Sequence, residues 1–135
     1  VGNAASLAFG PDGQPAISSR YLDVGVPLVF HRFDGIAWVM STVDGTPGSN
    51  GLCTSLAFGP TGQPAISYYN SIDGDLRLAR FTGTAWAIEI VDSGGDVGRD
   101  NSLAFGPDGQ PAIAYRDVAN ADLKLARKAT FPNAP

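Results

Sequence analysis

The stretch SLAFGPDGQPAIS, residues Ser6–Ser18, decides the architecture, because the chain writes it three times. It returns as SLAFGPTGQPAIS over Ser55–Ser67 and as SLAFGPDGQPAIA over Ser102–Ala114. The three starts lie 49 and 47 residues apart. Self-similarity at a fixed period of this size marks an array of one supersecondary unit.

The middle unit can be read strand by strand. Ser55–Phe58 alternates small and large, with Leu56 and Phe58 on one face and Ser55 and Ala57 on the other. Gly59-Pro60-Thr61-Gly62 follows. Proline presets φ for the first turn position and Gly62 accepts a positive φ, so this is a tight hairpin turn. Pro11-Asp12-Gly13 and Pro107-Asp108-Gly109 have the same chemistry. Gln63–Tyr69 reads as a second strand, Asn70–Gly74 as a polar turn, and Leu76–Phe81 as a third strand. Thr82-Gly83 turns the chain, as Asp34-Gly35 does one unit earlier. Ala85–Val91, carrying Trp86, Ile88 and Ile90, is the fourth strand, and a Gly- and Asp-rich loop, Asp92–Asp100, leads to the next unit. Four short antiparallel strands in meander order make one blade of a β-propeller. Radial stacking buries both faces of each blade, with the small Ser/Ala face expected to nest on the bulky Leu/Phe face of its neighbour. No segment holds a helical period. The fold class is therefore all-β.

The unit boundaries fall near residues 1–49, 50–96 and 97–135, all within one propeller segment. With strands lettered from the inside outward, the chain reads ABCD, ABCD, ABC. After Arg127 the pattern dissolves into Lys128–Pro135, whose two prolines make a poor strand. At the other end Val1-Gly2 matches Val97-Gly98, just ahead of a first strand. The last blade thus lacks its outer strand, and nothing at the N-terminal end supplies it. Common propellers have four to eight blades, so three cannot close a ring. Open blade faces would leave apolar side chains in water. Completion is expected from oligomerisation or from a longer parent chain. A homo-oligomer of two copies, with six blades, is favoured over three copies with nine.

Composition narrows the partners. The net charge of −4 argues against nucleic acid and anionic membranes, both of which need a basic footprint. Acidity comes almost wholly from Asp, with Glu89 the only glutamate, which suits turns rather than helices. The single cysteine, Cys53, excludes an internal disulfide and a Cys-based zinc site. No apolar run reaches membrane-spanning length. No cofactor or metal is expected. Asn70, Asp73 and Asp75 lack the dense acidic spacing of calcium loops and read better as turn residues.

Three further motifs carry a resemblance. They are Pro64-Ala65-Ile66-Ser67-Tyr68-Tyr69-Asn70, Gly74-Asp75-Leu76-Arg77-Leu78-Ala79 and Asp34-Gly35-Ile36-Ala37-Trp38. Blades with P-x-I-x-Y-Y-D, then G-D-L-x-x-A, then D-G-x-x-W occur in repetitive bacterial and archaeal extracellular propeller proteins, and the whole chain resembles these. Ala8-Phe9-Gly10-Pro11-Asp12-Gly13 also looks like the F-x-P-D-G element of WD-repeat blades, without the Trp-Asp pair. Asp34-Gly35 to Trp38 sits where sialidase-type propellers carry an Asp-box, without its Ser and with Trp one residue early. The resemblance implies a propeller and an extracellular or secreted setting. It transfers no activity, because such folds host many functions.

Differences among the three units concentrate in the B–C and D–A connections, which share one rim of the ring, whereas the A–B turn is nearly invariant. Candidate ligand-binding residues at the variable rim are Arg20 and Tyr21, then Tyr68, Tyr69 and Asn70, then Tyr115, Arg116 and Asp117. Such residues suit a glycan or peptide through stacking and hydrogen bonds, and equally suit loop residues satisfying one another. Trp38 and Trp86 open the fourth strands, as outer-strand packing or as walls of a sugar pocket. His31, alone on its strand, reads as structural. No catalytic residues stand out: no serine motif accompanies His31, and no carboxylate pair is isolated. The expectation is a non-enzymatic, self-assembling propeller with a binding or scaffold role, recognising carbohydrate or protein. The alternatives are a fragment of an extracellular glycan hydrolase and an excised or engineered minimal propeller without a ligand.

Overall fold

A computed structural model describes residues 4–21, 27–49 and 51–128. The first sheet runs in the order β1 (Ala5–Phe9), β2 (Pro15–Arg20), β3 (Leu28–Phe33), β4 (Trp38–Asp44). The second repeats it with β5 (Thr54–Phe58), β6 (Pro64–Asn70), β7 (Asp75–Phe81) and β8 (Trp86–Asp92). The third has β9 (Val97–Phe105), β10 (Pro111–Asp117) and β11 (Asp122–Arg127). Every pairing is antiparallel between chain neighbours. These are meander blades, two complete and one of three strands. No helix occurs among the described residues. Val1-Gly2 and residues 129–135, expected to form no strand, lie outside the described residues.

The invariant turn closes alike in each blade. Gly13, Gly62 and Gly109 take φ of +77°, +82° and +77°. Each N–H donates at 2.9 Å to the carbonyl of the glycine three residues earlier. That left-handed position suits glycine because it has no Cβ to clash.

The first strands stack small face on bulky face, while the outer strands meet through apolar side chains on both sides. Ala16, Leu28, Phe30 and Val43 of blade 1 form one buried cluster with Leu56, Ile66, Tyr68 and Ala79 of blade 2. Ala65, Leu76 and Leu78 on the other side of blade 2 do the same with Val97, Leu103, Ile113 and Tyr115 of blade 3. Serine on the small face has a specific use. Ser6 Oγ accepts from the Leu56 N–H at 3.0 Å, and Ser55 Oγ accepts from the Leu103 N–H at 2.9 Å. Each first strand is thereby pinned to the next at a point where two backbones approach.

One boundary departs from the sequence reading. The loop expected through Asp100 is already strand from Val97, with Val97 opposite Asp117 and Arg99 opposite Arg116. Gly98 at φ +110° and Asp100 at φ +51° let the strand bulge while it stays paired. A Cβ on Gly98 would lie 2.9 Å from Leu76 Cα, so this crossing over blade 2 requires glycine.

Candidate functional site

The aromatic and polar residues of the variable rim are engaged mostly with each other. Tyr68 is fully buried and donates to Asp44 of blade 1 at 2.7 Å. Burial pushes Asp44 up, but hydrogen bonds from Thr46 and Tyr68 more than offset it and leave the carboxyl below its usual range. The same burial and the Asp44 hydrogen bond raise the Tyr68 hydroxyl. Tyr69 donates to Asp96 at 2.6 Å, and Tyr115 of blade 3 donates to Asp92 of blade 2 at 2.6 Å. Asn70 is buried, donates to Ser49 Oγ at 2.9 Å and accepts the Ile72 and Asp73 N–H groups. Asp117 is buried and accepts from the backbone and side chain of Asn120. Tyr68 and Tyr115 are thus bolts between blades, and Asn70 and Asp117 brace turns. Arg77 is held by Asp75 at 2.8 Å and Asp73 at 2.8 Å, which leaves those carboxylates to an arginine. At the surface of this rim remain Tyr21 and Arg116, the latter loosely paired with Asp100 at 3.8 Å. Arg20 is half-buried, and its Nε finds no hydrogen-bond partner among the described residues.

A pocket of about 360 Å³ opens at the opposite rim, between blades 1 and 2. That volume falls in the range of small-ligand sites. The A–B and C–D turns of blade 1 supply Asp12 and Asp34, β3 supplies Arg32, β4 supplies Ser41, and blade 2 supplies Phe81 and Trp86. Trp86 is half-buried and fixed by two rings, Phe30 edge-on at 5.3 Å and Phe81 tilted at 5.3 Å. Arg32 donates to Asp12 at 3.2 Å and lies over the Phe58 ring at 5.2 Å. The pocket therefore sets a rigid aromatic wall beside an oriented guanidinium and carboxylates.

Both carboxylates are acceptors at neutral pH. The Gln14 backbone N–H, helped by Arg32, holds Asp12 below the usual carboxylate range. The Ala37 and Ile36 N–H groups do the same for Asp34. Neither is a proton donor of the kind glycoside hydrolysis requires. The described residues hold no group of three or more His, Cys, Asp or Glu side chains able to bind a metal. No described helix is long and apolar enough to cross a membrane.

Of the sequence-singled residues, Trp86 alone lines this pocket. Trp38, its counterpart in blade 1, stands half-exposed on the open face of that blade. Arg32 escaped the sequence reading. The signal was present, since the same strand position is Arg32, Arg80 and Arg127 in the three units. Cys53 is half-buried, and its carbonyl accepts from Asn101 at 2.8 Å.

No family model and no curated protein matches the chain. Among solved structures, it is similar to a fucose lectin from Kordia zhangzhouensis, determined in complex with methyl-fucoside. The TM-score is 0.64 at 14% identity, over 95% of this chain and 94% of that chain. The likeness concerns the fold.

Proposed function

We propose that the protein is a non-enzymatic carbohydrate-binding propeller module that works as a self-assembled ring. The observation that carries this is the blade 1/blade 2 pocket, which Trp86 lines together with the Arg32–Asp12 pair. A pyranose has an apolar C–H face, which suits an aromatic wall, and an edge of vicinal hydroxyls, which suits a forked donor beside a carboxylate acceptor. The structural likeness to a fucose lectin supports the sugar class. The lowered Asp12 and Asp34 favour binding over hydrolysis. An extracellular setting fits a glycan ligand and the extracellular propellers that the blades resemble.

The test is a methyl-fucoside titration and a glycan array, with Arg32→Ala and Arg116→Ala compared. Loss of binding at the blade 1/blade 2 pocket by about tenfold or more in Arg32→Ala alone is the expected result. Loss in Arg116→Ala alone moves the site to the variable rim with Tyr21, Tyr69 and Arg116. Turnover of aryl glycosides would replace this reading with the hydrolase one.

A further inference from the structure

We infer that the end of one copy and the start of the next together build a second pocket of the same kind, with Arg127 and Asp108 from one chain and Trp38 from the other. The inference rests on the sugar-binding reading for its ligand and on the blade faces for its geometry.

The repeat makes the correspondence explicit. Arg32 pairs with Asp12 at 3.2 Å, and Arg127 pairs with Asp108 at 3.5 Å from the same two positions of blade 3. Blade 2 differs, because Thr61 stands where the other blades have aspartate, so Arg80 faces no carboxylate there. Each arginine lies over a phenylalanine from the next blade, Arg32 on Phe58 at 5.2 Å and Arg80 on Phe105 at 5.7 Å. The corresponding phenylalanine for Arg127 is Phe9, at the far end of the chain and 64% exposed. The tryptophan that would complete the pocket is Trp38, exposed on the same face. Arg127–Asp108 is thus a half-site without its wall, and Trp38 with Phe9 is a wall without its half-site.

The occupant of these faces is a second copy. Leu123 is 83% exposed, whereas its equivalent Leu76 in blade 2 is 0% exposed against blade 3. Leu7 is 60% exposed, whereas its equivalent Leu56 is 5% exposed against blade 1. The two open faces are therefore the same two faces that meet at both junctions inside the chain. Each finds its complement at the other end of an identical molecule. A contact between unlike ends closes into a ring when the rotation allows, and two copies give six blades.

The experiment combines mass, tryptophan accessibility and stoichiometry. Light scattering over a dilution series should give a dimer for the wild type and a monomer for Leu123→Asp, an exposed position outside both pockets. The Trp38 signal is the difference between wild type and Trp38→Phe. Acrylamide should quench it at least about threefold less in the dimer than in Leu123→Asp. Methyl-fucoside should bind at two sites per chain in the wild type and one in Arg127→Ala or Trp38→Ala. Mixing those two variants should recover binding, because a mixed dimer contains one intact junction. A monomeric wild type, or a Trp38 equally quenched in both forms, overturns the inference. So does binding of methyl-fucoside whose stoichiometry Arg127→Ala leaves unchanged. A dimer with shielded Trp38 that binds no methyl-fucoside upholds the junction and refutes the proposed sugar instead.

Discussion

Acid should loosen blade 3 from blade 2 through one carboxylate, Asp92. It closes β8 and accepts from Lys124 Nζ at 2.5 Å, Tyr115 Oη at 2.6 Å and the Gly94 N–H at 2.9 Å. Two of these three donors belong to blade 3. Burial alone would raise the carboxyl, but the Lys124 and Tyr115 hydrogen bonds overcome it and hold Asp92 at about 2. The side chain is 16% exposed, so little of this is lost to solvent screening. A folded-state value below the unfolded 3.8 means the stabilisation is complete above about pH 4 and fades as pH falls towards 2. At about 1.36 kcal/mol per unit, the drop from 3.8 to about 2 is worth ~2 kcal/mol. Asp92→Asn should therefore cost ~2 kcal/mol at pH 6 and almost nothing near pH 2. Urea unfolding followed by circular dichroism at pH 6, 4, 3 and 2 reads this directly. Asp12, Asp34, Asp44 and Asp117 are also held low, so the wild type alone would confound the effect. The gap between wild type and Asp92→Asn isolates one group. A gap that stays constant across this range would refute the assignment.

Four other substitutions probe the joints and the turns. Tyr68→Phe removes the buried donor to Asp44 and should cost about 1–3 kcal/mol in urea unfolding. Gly98→Ala sets a Cβ 2.9 Å from the Leu76 backbone at φ +110° and should lower stability by more than ~2 kcal/mol. Gly13→Ala meets nothing within 4 Å, and only the backbone strain of about 1 kcal/mol should appear. Ala121→Gly should do the opposite and stabilise by ~0.5 kcal/mol, because Ala121 is strained at φ +55° where blade 2 has Gly74. A calorimetric melting curve checks its sign.

The blades were legible because their signals are local. Pro-x-Gly turns and period-two strands need only a few neighbouring residues, and the threefold repeat supplied the long-range order. The Ser/Ala face could be expected to nest on the bulky one, since it recurs in every unit. The extension of β9 back to Val97 was hidden, because a bulge is decided by what lies beneath the strand, here Leu76 of the neighbouring blade. Site residues were harder for the same reason. Tyr68 and Tyr115 look like free aromatics at a strand end on the variable rim, and only the stacking reveals that each reaches an aspartate of the preceding blade. Arg32 and Trp86 lie 54 residues apart and line one pocket only because two blades meet.

The two open ends of the arc are unlike, and each carries exposed leucine. In a ring of six such blades each must turn the chain by about 60°. Closure is then a matter of angle rather than of how tightly the ends adhere. Gly59 sits where blades 2 and 3 converge, and a Cβ there would lie 3.2 Å from the Phe105 ring. Prying that junction open by a few degrees would leave the adhesive ends intact and spoil their convergence. Copies would then join end to end without limit, winding into a filament, and the first sign would be rising viscosity rather than weaker association.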